Sequence, residues 1–256
     1  MKFCIIGINY APELTGCAPY TTDLANELRS RGHEVSVVCG IPHYPSWKVP
    51  IEYSKFTYSE SVNECGIEIL RIWHYIPKNN HVVERFIYEL SFFIHGIFRS
   101  RNIKSDVIIA VSPSLLSIAI GVILGKKNKS IVKVLTQDLF GGAIQQTSKK
   151  NRVILGALVQ KLEATLYRRV HRIGIVSELF RERLIDYKID RNKIETIPNY
   201  QIDKYFNQNQ KDRTFWNWLP DEKIVLYTGS IGLKQNLENL IAAAAFIEKA
   251  NPKVRI

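Results

Sequence analysis

Residues 2–39, KFCIIGINYAPELTGCAPYTTDLANELRSRGHEVSVVC, contain the pattern that decides the fold. An apolar run (3–8) leads through a loop into a segment with apolar residues at helical spacing, and a second apolar run (35–38) follows. Pro19 stands in the first helical turn, where its missing N–H group costs nothing, and Gly32 follows the last apolar position as a helix stop. The segment therefore predicts a β-strand, an α-helix and a second β-strand.

The same alternation returns further along the chain. Residues 107–111 (VIIAV) and 131–136 (IVKVLT) flank a helical segment that ends at Gly125, and a helix over 153–170 precedes a strand at 172–176. Strands that alternate with helices are typical of a parallel sheet covered on both sides. We therefore predict an α/β protein with a Rossmann-like parallel sheet and helices on both faces.

The character of the sequence changes near residue 200. Residues 1–199 are predicted to form the first domain, and residues 200–222 lack periodicity and are typical of a linker. Residues 223–256 predict the first βα unit of a second domain and the start of one more strand. Because a unit of about 35 residues does not enclose a core, we expect either an incomplete second domain or a tail that docks elsewhere.

The composition narrows the class of protein. The chain has 256 residues, of which 46% are hydrophobic and 23% charged, so disordered and fibrous classes are excluded. Its four cysteines contain no CxxC pair and predict neither a zinc site nor a disulfide framework. Scattered thiols fit a reducing compartment, and the apolar run after Lys2 is too short for a signal-peptide core. We therefore expect a cytoplasmic protein.

One stretch is long enough to suggest a membrane span. Residues 107–125 carry no charge over 19 positions. However, the sequence Ser-Pro-Ser at 112–114 separates a β-rich run from a helical run. The stretch therefore favours a strand, a loop and a helix over a span.

The positive charge is concentrated in the middle of the chain. The net charge is +11, while residues 1–100 have a balance of −1 and residues 101–200 a balance of +10. Such a field attracts anionic partners such as nucleic acid, nucleotide phosphates or an acidic lipid surface, although a solvated basic face has the same composition. No helix-turn-helix, RRM or zinc-finger pattern is present, so we do not expect a nucleic acid partner.

The loop after the first strand is a candidate binding element. Parallel α/β sheets bind ligands at the carboxyl ends of their strands, and Gly16 lets the backbone approach a ligand. The N–H groups of the following helix favour anions. A loop that simply turns the chain has the same features. Neither GxGxxG nor GxxxxGK[ST] occurs, so no motif supports a nicotinamide or P-loop nucleotide.

Several segments in order resemble the family 4 glycosyltransferases of the GT-B fold, nearest to bacterial polysaccharide enzymes of the colanic-acid type. The N-terminal segments that carry this resemblance are NYAPELTG (9–16), PYTTDLANELRSRGHEVSVV (19–38) and PHYPSW (42–47). Further segments are DVIIAVSP (106–113), QDLF (137–140), LYRRVHRIGIVSELFRERL (166–184), IPN (197–199) and VLYTGSIGLKQNLENLIAAA (225–244).

The resemblance implies a retaining-type glycosyltransferase. Such an enzyme transfers a sugar from a nucleotide-sugar donor to a lipid-linked saccharide acceptor in capsule, O-antigen or exopolysaccharide synthesis, without a metal or other cofactor. The acceptor lies on the N-terminal domain, the donor mainly on the C-terminal domain, and the reaction occurs in the cleft between them. The family's paired glutamates have no counterpart within 256 residues, so we expect an incomplete donor site and little transfer by this chain alone. The alternative is a non-catalytic acceptor- or membrane-binding subunit that needs a separate donor-binding chain.

The resemblance also implies roles for individual residues. Asp138 matches an acidic position that orients an acceptor hydroxyl or takes its proton, although an aspartate there also suits a helix N-cap. Lys234 matches the basic position that neutralises the donor diphosphate, although it also suits an exposed surface lysine. The other candidates are the loop residues Glu13, Thr15 and Gly16, the donor-side Gly229, and the cleft residues Tyr20, Tyr44 and Asn199.

Two further patterns bear on partners. The six histidines never stand at HxxxH or HxH spacing, so we expect no metal site. The aromatic helix at 86–98 suits either a bilayer surface or the core, and we favour the core. A basic rim beside it predicts peripheral contact with the anionic inner face of the cytoplasmic membrane. The rim consists of Arg99, Arg101, Lys126, Lys127 and Lys129.

Overall fold

The computed structural model of the chain describes most of the sequence in two compact units, Met1–Ile202 and Asp203–Ile256. The described residues are 1–53, 59–63, 65–78, 81–139, 150–200, 221–229, 231–232 and 235–256.

The first unit is built on one eight-stranded sheet. Its strands are β1 (Lys2–Ile6), β2 (Glu34–Gly40), β3 (Ser59–Val62), β4 (Glu68–Ile72), β5 (Val107–Val111), β6 (Ile131–Thr136), β7 (Arg172–Ile175) and β8 (Ile194–Thr196). Their order across the sheet is β3-β4-β2-β1-β5-β6-β7-β8. Only β3 is antiparallel to its neighbour, and the other seven strands run parallel.

Helices cover both faces of this sheet, as predicted. They are α1 (Ala18–Ser30), α2 (Val82–Ser100), α3 (Leu115–Asn128), α4 (Lys150–Arg168) and α5 (Leu179–Asp186). Helix α1 packs on one face, where Ala25 meets Ile5 and Val37. The other four helices among the described residues pack on the opposite face, where Phe92 and Ile120 belong to one cluster and α3, α4 and α5 share another.

The alternating side chains of β1 explain why its sequence is apolar throughout. Ile5 points to the α1 face, while Cys4 and Ile6 point to the α2 face, and all three are at most 1% exposed. A strand that is buried on both faces needs a continuous apolar run, unlike a strand with one wet face. The central strands therefore fix the core of the first unit.

The uncharged stretch at 107–125 forms β5, a short loop and most of α3. The Ser114 hydroxyl caps α3 by accepting a hydrogen bond from the Ser117 N–H group. Most of helix α3 is apolar because it packs between the sheet and neighbouring helices, and Ile118 and Ile120 are fully buried. The predicted strand, loop and helix are confirmed, and within the described residues no helix has the length and apolarity to cross a bilayer.

The order of the strands creates a crevice at one edge of the sheet. The chain proceeds from β1 to β2 and β4 on one side, then returns to β5 on the other side of β1. Where the order reverses in this way, the loops that follow the two central strands diverge and leave space for a ligand. The segments singled out in the sequence of this unit follow the carboxyl ends of its strands.

Three local expectations differ from the structure. The antiparallel pair of β3 and β4 was not predicted, because SESV in β3 is a polar edge strand with no apolar run. Helix α4 ends at Arg168 rather than at 170, because the chain turns at residues 169–170 before β7. Helix α2 is only half core: Tyr88 and Phe92 are buried, whereas Phe86 and Phe98 are more than 60% exposed.

The four cysteines are free thiols. Burial raises the pKa of Cys4 to about 12 and the pKa values of Cys17 and Cys39 to about 11. Cys65 is exposed in the turn between β3 and β4.

The described residues of the second unit form one short parallel pair and one helix. Strands β9 (Lys223–Ile224) and β10 (Val254–Arg255) pair in parallel, and α6 (Leu237–Ala250) connects them. Strand β9 is shorter than the apolar run KIVLYTG suggested. No residue of α6 is buried, so the described part of this unit has little core of its own.

Candidate functional site

The loop between β1 and α1, residues 7–17, is held at the carboxyl edge by a buried carboxylate. Glu13 Oε1 accepts hydrogen bonds from the backbone N–H groups of His43 and Tyr44, both at 2.8 Å. Its Oε2 accepts a hydrogen bond from the side-chain amide of Asn9, also at 2.8 Å. Because its side chain is only 3% exposed, Glu13 fixes the first loop against the loop after β2.

The rings of His43, His74 and Tyr88 pack together beside these two loops. The His43 ring lies 2.9 Å from the Ile41 carbonyl oxygen through Nδ1 and 3.1 Å from the Tyr88 hydroxyl through Nε2. The His74 ring packs edge-on against it at 4.9 Å. Burial lowers the pKa of His43, and burial followed by the neighbouring His43 lowers the pKa of His74 to about 3. Both rings are therefore neutral near pH 7.

Two glycines are needed where these loops come close. A Cβ atom at Gly40 would lie 2.4 Å from His74 Nε2 and 2.9 Å from the Ile8 carbonyl oxygen, so a larger residue does not fit. Gly16 has a φ of +65°, in the left-handed region, and the Tyr44 ring lies beside it. Thr15 and Gly16 are exposed at the tip of the loop, while Tyr44 is half-buried next to them.

A buried arginine holds the other end of the first loop. The Arg71 guanidinium of β4 donates to the Ala11 carbonyl oxygen at 2.5 Å and to the Cys39 sulfur at 3.5 Å. Arg71 is 9% exposed and lies 60 residues from Ala11 in sequence. The backbone path of the loop is therefore fixed by β4 as well as by Glu13.

Asp138 stands after β6 and is tied to the end of β5. The Ser112 hydroxyl donates to the Asp138 carbonyl oxygen at 2.7 Å, and the Asp138 N–H group lies 3.3 Å from the same hydroxyl. The side chain is exposed, and its Oδ1 accepts a hydrogen bond from the Leu139 N–H group at 2.8 Å. The second carboxylate oxygen has no partner among the described residues. It can accept a hydrogen bond from a ligand hydroxyl.

Polar side chains continue from Asp138 along the edge to the start of α1. The Asn199 amide donates to Gln137 Oε1 at 2.9 Å, next to Asp138 in sequence. The Tyr200 hydroxyl donates to Asp23 Oδ2 at 2.6 Å, and its ring contacts the ring of Tyr20 edge-on at 6.0 Å. Asn199 therefore joins this row of polar groups at Gln137, and Tyr20 joins it at Tyr200.

A glutamate on α2 adds a further carboxyl group at this edge. Glu89 Oε2 accepts hydrogen bonds from the Ser114 hydroxyl at 2.8 Å and from the Leu116 N–H group at 3.2 Å. Burial raises its pKa to about 7, although the bonds from Ser114 and Leu116 and the charge of Arg85 oppose the rise. Glu89 therefore braces the first turn of α3, directly after β5.

The described part of the first unit brings together most of the predicted candidates. Glu13, Gly16 and Tyr44 form one cluster. Asn199 bonds to Gln137, the residue before Asp138, and Tyr20 contacts Tyr200, the residue after Asn199. Gly229 lies in the second unit beside the phenol of Tyr227, and Lys234 lies outside the described residues. No group of metal-binding side chains occurs among the described residues.

Four residues of this edge were missed in the sequence. Ser112 and Arg71 act through contacts 26 and 60 residues away, for which no local pattern exists. Tyr200 follows the segment IPN without a pattern of its own. Glu89 could have been found from the sequence, because it is the sole acidic residue in the aromatic run FIYELSFFIHGIF.

Most residues of the carboxyl edge lie in a segment that matches a known sequence family. Residues 15–200, which include the end of the first loop (15–17), Asp138 and Asn199, match the glycosyl transferase 4-like domain. The chain belongs to this family. The match covers most of the first unit of this glycosyl transferase 4-like protein, and it confirms the resemblance seen in the sequence.

Individual relatives agree with the family assignment. The chain is 30% identical over 263 residues to WcaI of Escherichia coli (strain K12), whose name describes a glycosyl transferase of colanic acid biosynthesis. The alignment covers 95% of this chain and 62% of WcaI, so the chain spans less than two thirds of that relative.

Solved structures confirm the fold of this family member. Sucrose-phosphate synthase from Thermosynechococcus elongatus superposes with a TM-score of 0.71 at 17% identity, over 96% of this chain and 60% of the synthase. Anabaena Alr3699/HepE in complex with UDP-glucose superposes with a TM-score of 0.57 at 12% identity, over 99% of this chain and 59% of that protein. At these identities the likeness concerns the fold.

Proposed function

We propose that this chain forms the acceptor-side part of a retaining-type glycosyltransferase that moves a sugar from a nucleotide-sugar donor to a lipid-linked saccharide in capsule, O-antigen or exopolysaccharide synthesis. The observation that carries the proposal is the family match over residues 15–200, which includes the polar row at the carboxyl edge. The name of WcaI and the UDP-glucose in the HepE complex support the class of reaction and of donor.

Asp138 is the proposed catalytic residue. Its carboxylate is exposed at the carboxyl edge, and Ser112 and the Leu139 N–H group hold its backbone and Oδ1 in place. A fixed carboxylate with one free oxygen can orient an acceptor hydroxyl and take its proton as the new glycosidic bond forms. Thr15 and Gly16 at the loop tip, with Tyr44, Tyr20 and Asn199, are the proposed contacts of the saccharide.

The donor diphosphate is assigned to the second unit. Gly229 and Lys234 are the proposed donor-side residues, because a lysine ammonium stabilises the charge that develops on the departing nucleoside diphosphate. The proposal needs no metal, since this cation acts on the leaving group. Glu13 then has a positioning role, because its carboxylate is occupied by bonds within the protein.

Helix α2 supports a peripheral membrane position at the inner face of the cytoplasmic membrane. Val83, Ile87, Ile94 and Phe98 are exposed and lie along one side of the helix at helical spacing. Arg99 and Arg101 follow at its end, beside Lys127. An apolar stripe with cations at its end suits an interface rich in anionic lipid. Flotation that does not depend on acidic lipid would contradict this position.

The transferase proposal is tested with a protein in which this chain is continued by the C-terminal part of WcaI. The purified protein is given UDP-glucose or other nucleotide sugars and a lipid diphosphate-linked monosaccharide, and the lengthened lipid product is measured by mass spectrometry. We expect Asp138→Asn to lower turnover at least about a hundredfold. The control Asp186→Asn, at an exposed position on α5, leaves turnover unchanged.

The outcomes separate the two functions considered for the sequence. Product formation that depends on Asp138 supports the enzyme. If no nucleotide sugar gives product while the chain still binds the lipid acceptor, it is a binding subunit. Equal turnover of Asp138→Asn and the parent would remove Asp138 from the catalytic role.

A further inference from the structure

The amino edge of the sheet, opposite the edge described above, contains a groove between the ends of α3 and α4. The groove has a volume of about 520 Å³. Its lining includes four basic side chains, Lys126, Lys129, Arg169 and His171, and no acidic one. The remaining lining residues are Val122, Gly125, Ser130 and Val132.

Structural roles at these helix ends are filled by neighbouring basic residues. Lys127 donates to the Arg101 carbonyl oxygen at 2.6 Å, and Arg168 donates to the Ala164 carbonyl oxygen of its own helix at 3.1 Å. By contrast, the side chains of Lys126, Lys129 and Arg169 form no hydrogen bond and no ion pair within the described part of the chain. They remain available to a ligand.

The positive charge at the groove is larger than the negative charge of the two helix C-termini beside it. Each helix C-terminus carries the equivalent of about half a negative charge, so α3 and α4 together present about one. Lys126, Lys129 and Arg169 bring three full positive charges. Since no carboxylate lines the groove, the excess is positive and favours an anion with more than one charge.

His171 adds a hydrogen-bond donor whose orientation is fixed. Its Nδ1 accepts a hydrogen bond from the Val132 N–H group at 3.0 Å, so in the neutral ring the proton is on Nε2. The backbone N–H group of His171 also donates to the Val132 carbonyl oxygen at 2.8 Å. The ring is thus held at the groove with a donor nitrogen free.

Lys129 occupies a backbone position that usually belongs to glycine. It ends α3 in the left-handed conformation, with a φ of 58° and a ψ of 34°. Glycine or asparagine is favoured at such a C-cap, and a lysine with its Cβ atom is disfavoured. The fold places a cation here against the local conformational preference.

We propose that this groove binds a phosphate group through Lys126, Lys129, Arg169 and His171. A phosphate offers several acceptor oxygens and up to two negative charges, which match a guanidinium, two ammonium groups and an imidazole N–H group. The group belongs either to a soluble phosphate compound or to the headgroup of an anionic lipid. The site does not depend on the proposed transferase activity and lies at the other edge of the sheet.

The test is a titration of the chain with inorganic phosphate at constant ionic strength, followed by amide NMR. We expect shifts in residues 125–132 and 169–171. In the double variant Lys126→Gln/Arg169→Gln, the affinity should fall at least about tenfold, because two charge-assisted contacts are lost. The matched control Lys133→Gln/Lys161→Gln has the same net charge and should stay within about twofold of the parent.

The control variant removes the same number of charges away from the groove, so it shows whether the location of the charges matters. Lys133 lies on β6 with its side chain on the opposite face from Val132, and Lys161 lies about 12 Å along α4 from Arg169. Both are exposed. If both double variants lose affinity equally, or if phosphate causes no shifts at the groove, the proposal is wrong.

A second measurement separates the two sources of phosphate. The same variants are floated with phosphatidylcholine vesicles that contain phosphatidylglycerol. If the groove variant loses vesicle binding at least about fivefold more than the control, the ligand is a lipid headgroup. If only the affinity for inorganic phosphate falls, the ligand is a soluble phosphate compound. If neither vesicle binding nor the affinity for inorganic phosphate falls in the groove variant, the proposal is wrong.

Discussion

The two edges of the main sheet use polar residues in opposite ways. At the carboxyl edge, Glu13 and His74 are buried, and each polar group has a fixed direction set by its packing and hydrogen bonds. At the amino edge, Lys126 and Arg169 are exposed and without an ion pair among the described residues. Burial fixes the geometry of a group, whereas exposure leaves its charge free to attract a partner from solution.

The two edges therefore suit different tasks: the carboxyl edge holds groups in place for a reaction, and the amino edge attracts an anion. A transfer reaction needs groups held within a fraction of an ångström, and such groups must be supported by contacts that make them costly to change. An anion-binding surface needs only charge and access. Substitutions of the buried residues at the carboxyl edge should therefore cost much more stability than substitutions at the amino edge.

The largest difference is expected between two glutamates. Glu13→Ala leaves the N–H groups of His43 and Tyr44 without their acceptor, and we expect a loss of about 3 to 4 kcal/mol in the free energy of unfolding. Glu34→Ala, at the amino edge, removes an exposed ion pair with Lys2 and should cost less than about 0.5 kcal/mol. Urea unfolding at pH 7 measures both, and equal losses would contradict the comparison.

Two glycines give the next largest difference. Gly40→Ala places a methyl group 2.4 Å from His74 Nε2, so we expect a loss of about 3 kcal/mol from overpacking. Gly32→Ala, at the amino edge, meets no atom within 4 Å but has a φ of +81°, so only its dihedral angle is disfavoured, at about 1 kcal/mol. Thermal or urea unfolding of both variants should show this order. A larger loss for Gly32→Ala would show that space at Gly40 is not limiting.

The smallest effect concerns the pH dependence of stability. The pKa of His74 falls from an unfolded value of 6.5 to about 3 in the folded chain, so the unfolded state binds the proton more readily as the pH falls below 6.5. This one ring should destabilise the fold by about 2 kcal/mol between pH 7 and pH 5. In His74→Leu the difference between the unfolding free energies at these two pH values should shrink by that amount. Parallel pH curves for the variant and the parent would show that the His74 ring takes up its proton in the fold.

The sequence predicted those parts of the fold that local patterns encode. The alternation of strands and helices, Pro19 in the first turn of α1 and the break at Ser112 depend on residues a few positions apart. Asp138 was singled out through the resemblance of QDLF to the family 4 glycosyltransferases. These features need no knowledge of distant contacts.

The supports of the site were not predictable in this way. Arg71 reaches Ala11 across 60 residues, Glu13 reaches Tyr44 across 31, and Ser112 reaches Asp138 across 26. Each contact depends on strand order and register, which a single sequence does not reveal. The basic residues of the middle segment were visible in the composition, but their assembly at the ends of α3 and α4 needed the sheet.

The cysteines have a practical consequence for studying how the two units are arranged. Cys4 and Cys39 are buried and Cys17 is partly buried, and the raised pKa of each of these three thiols keeps it protonated and slow to react with alkylating reagents. Cys65 alone is exposed, in the turn beside β4. A maleimide dye added to the folded parent chain would therefore attach at one point. A second, engineered thiol on α6 would then allow fluorescence energy transfer across the two units without removal of any native cysteine.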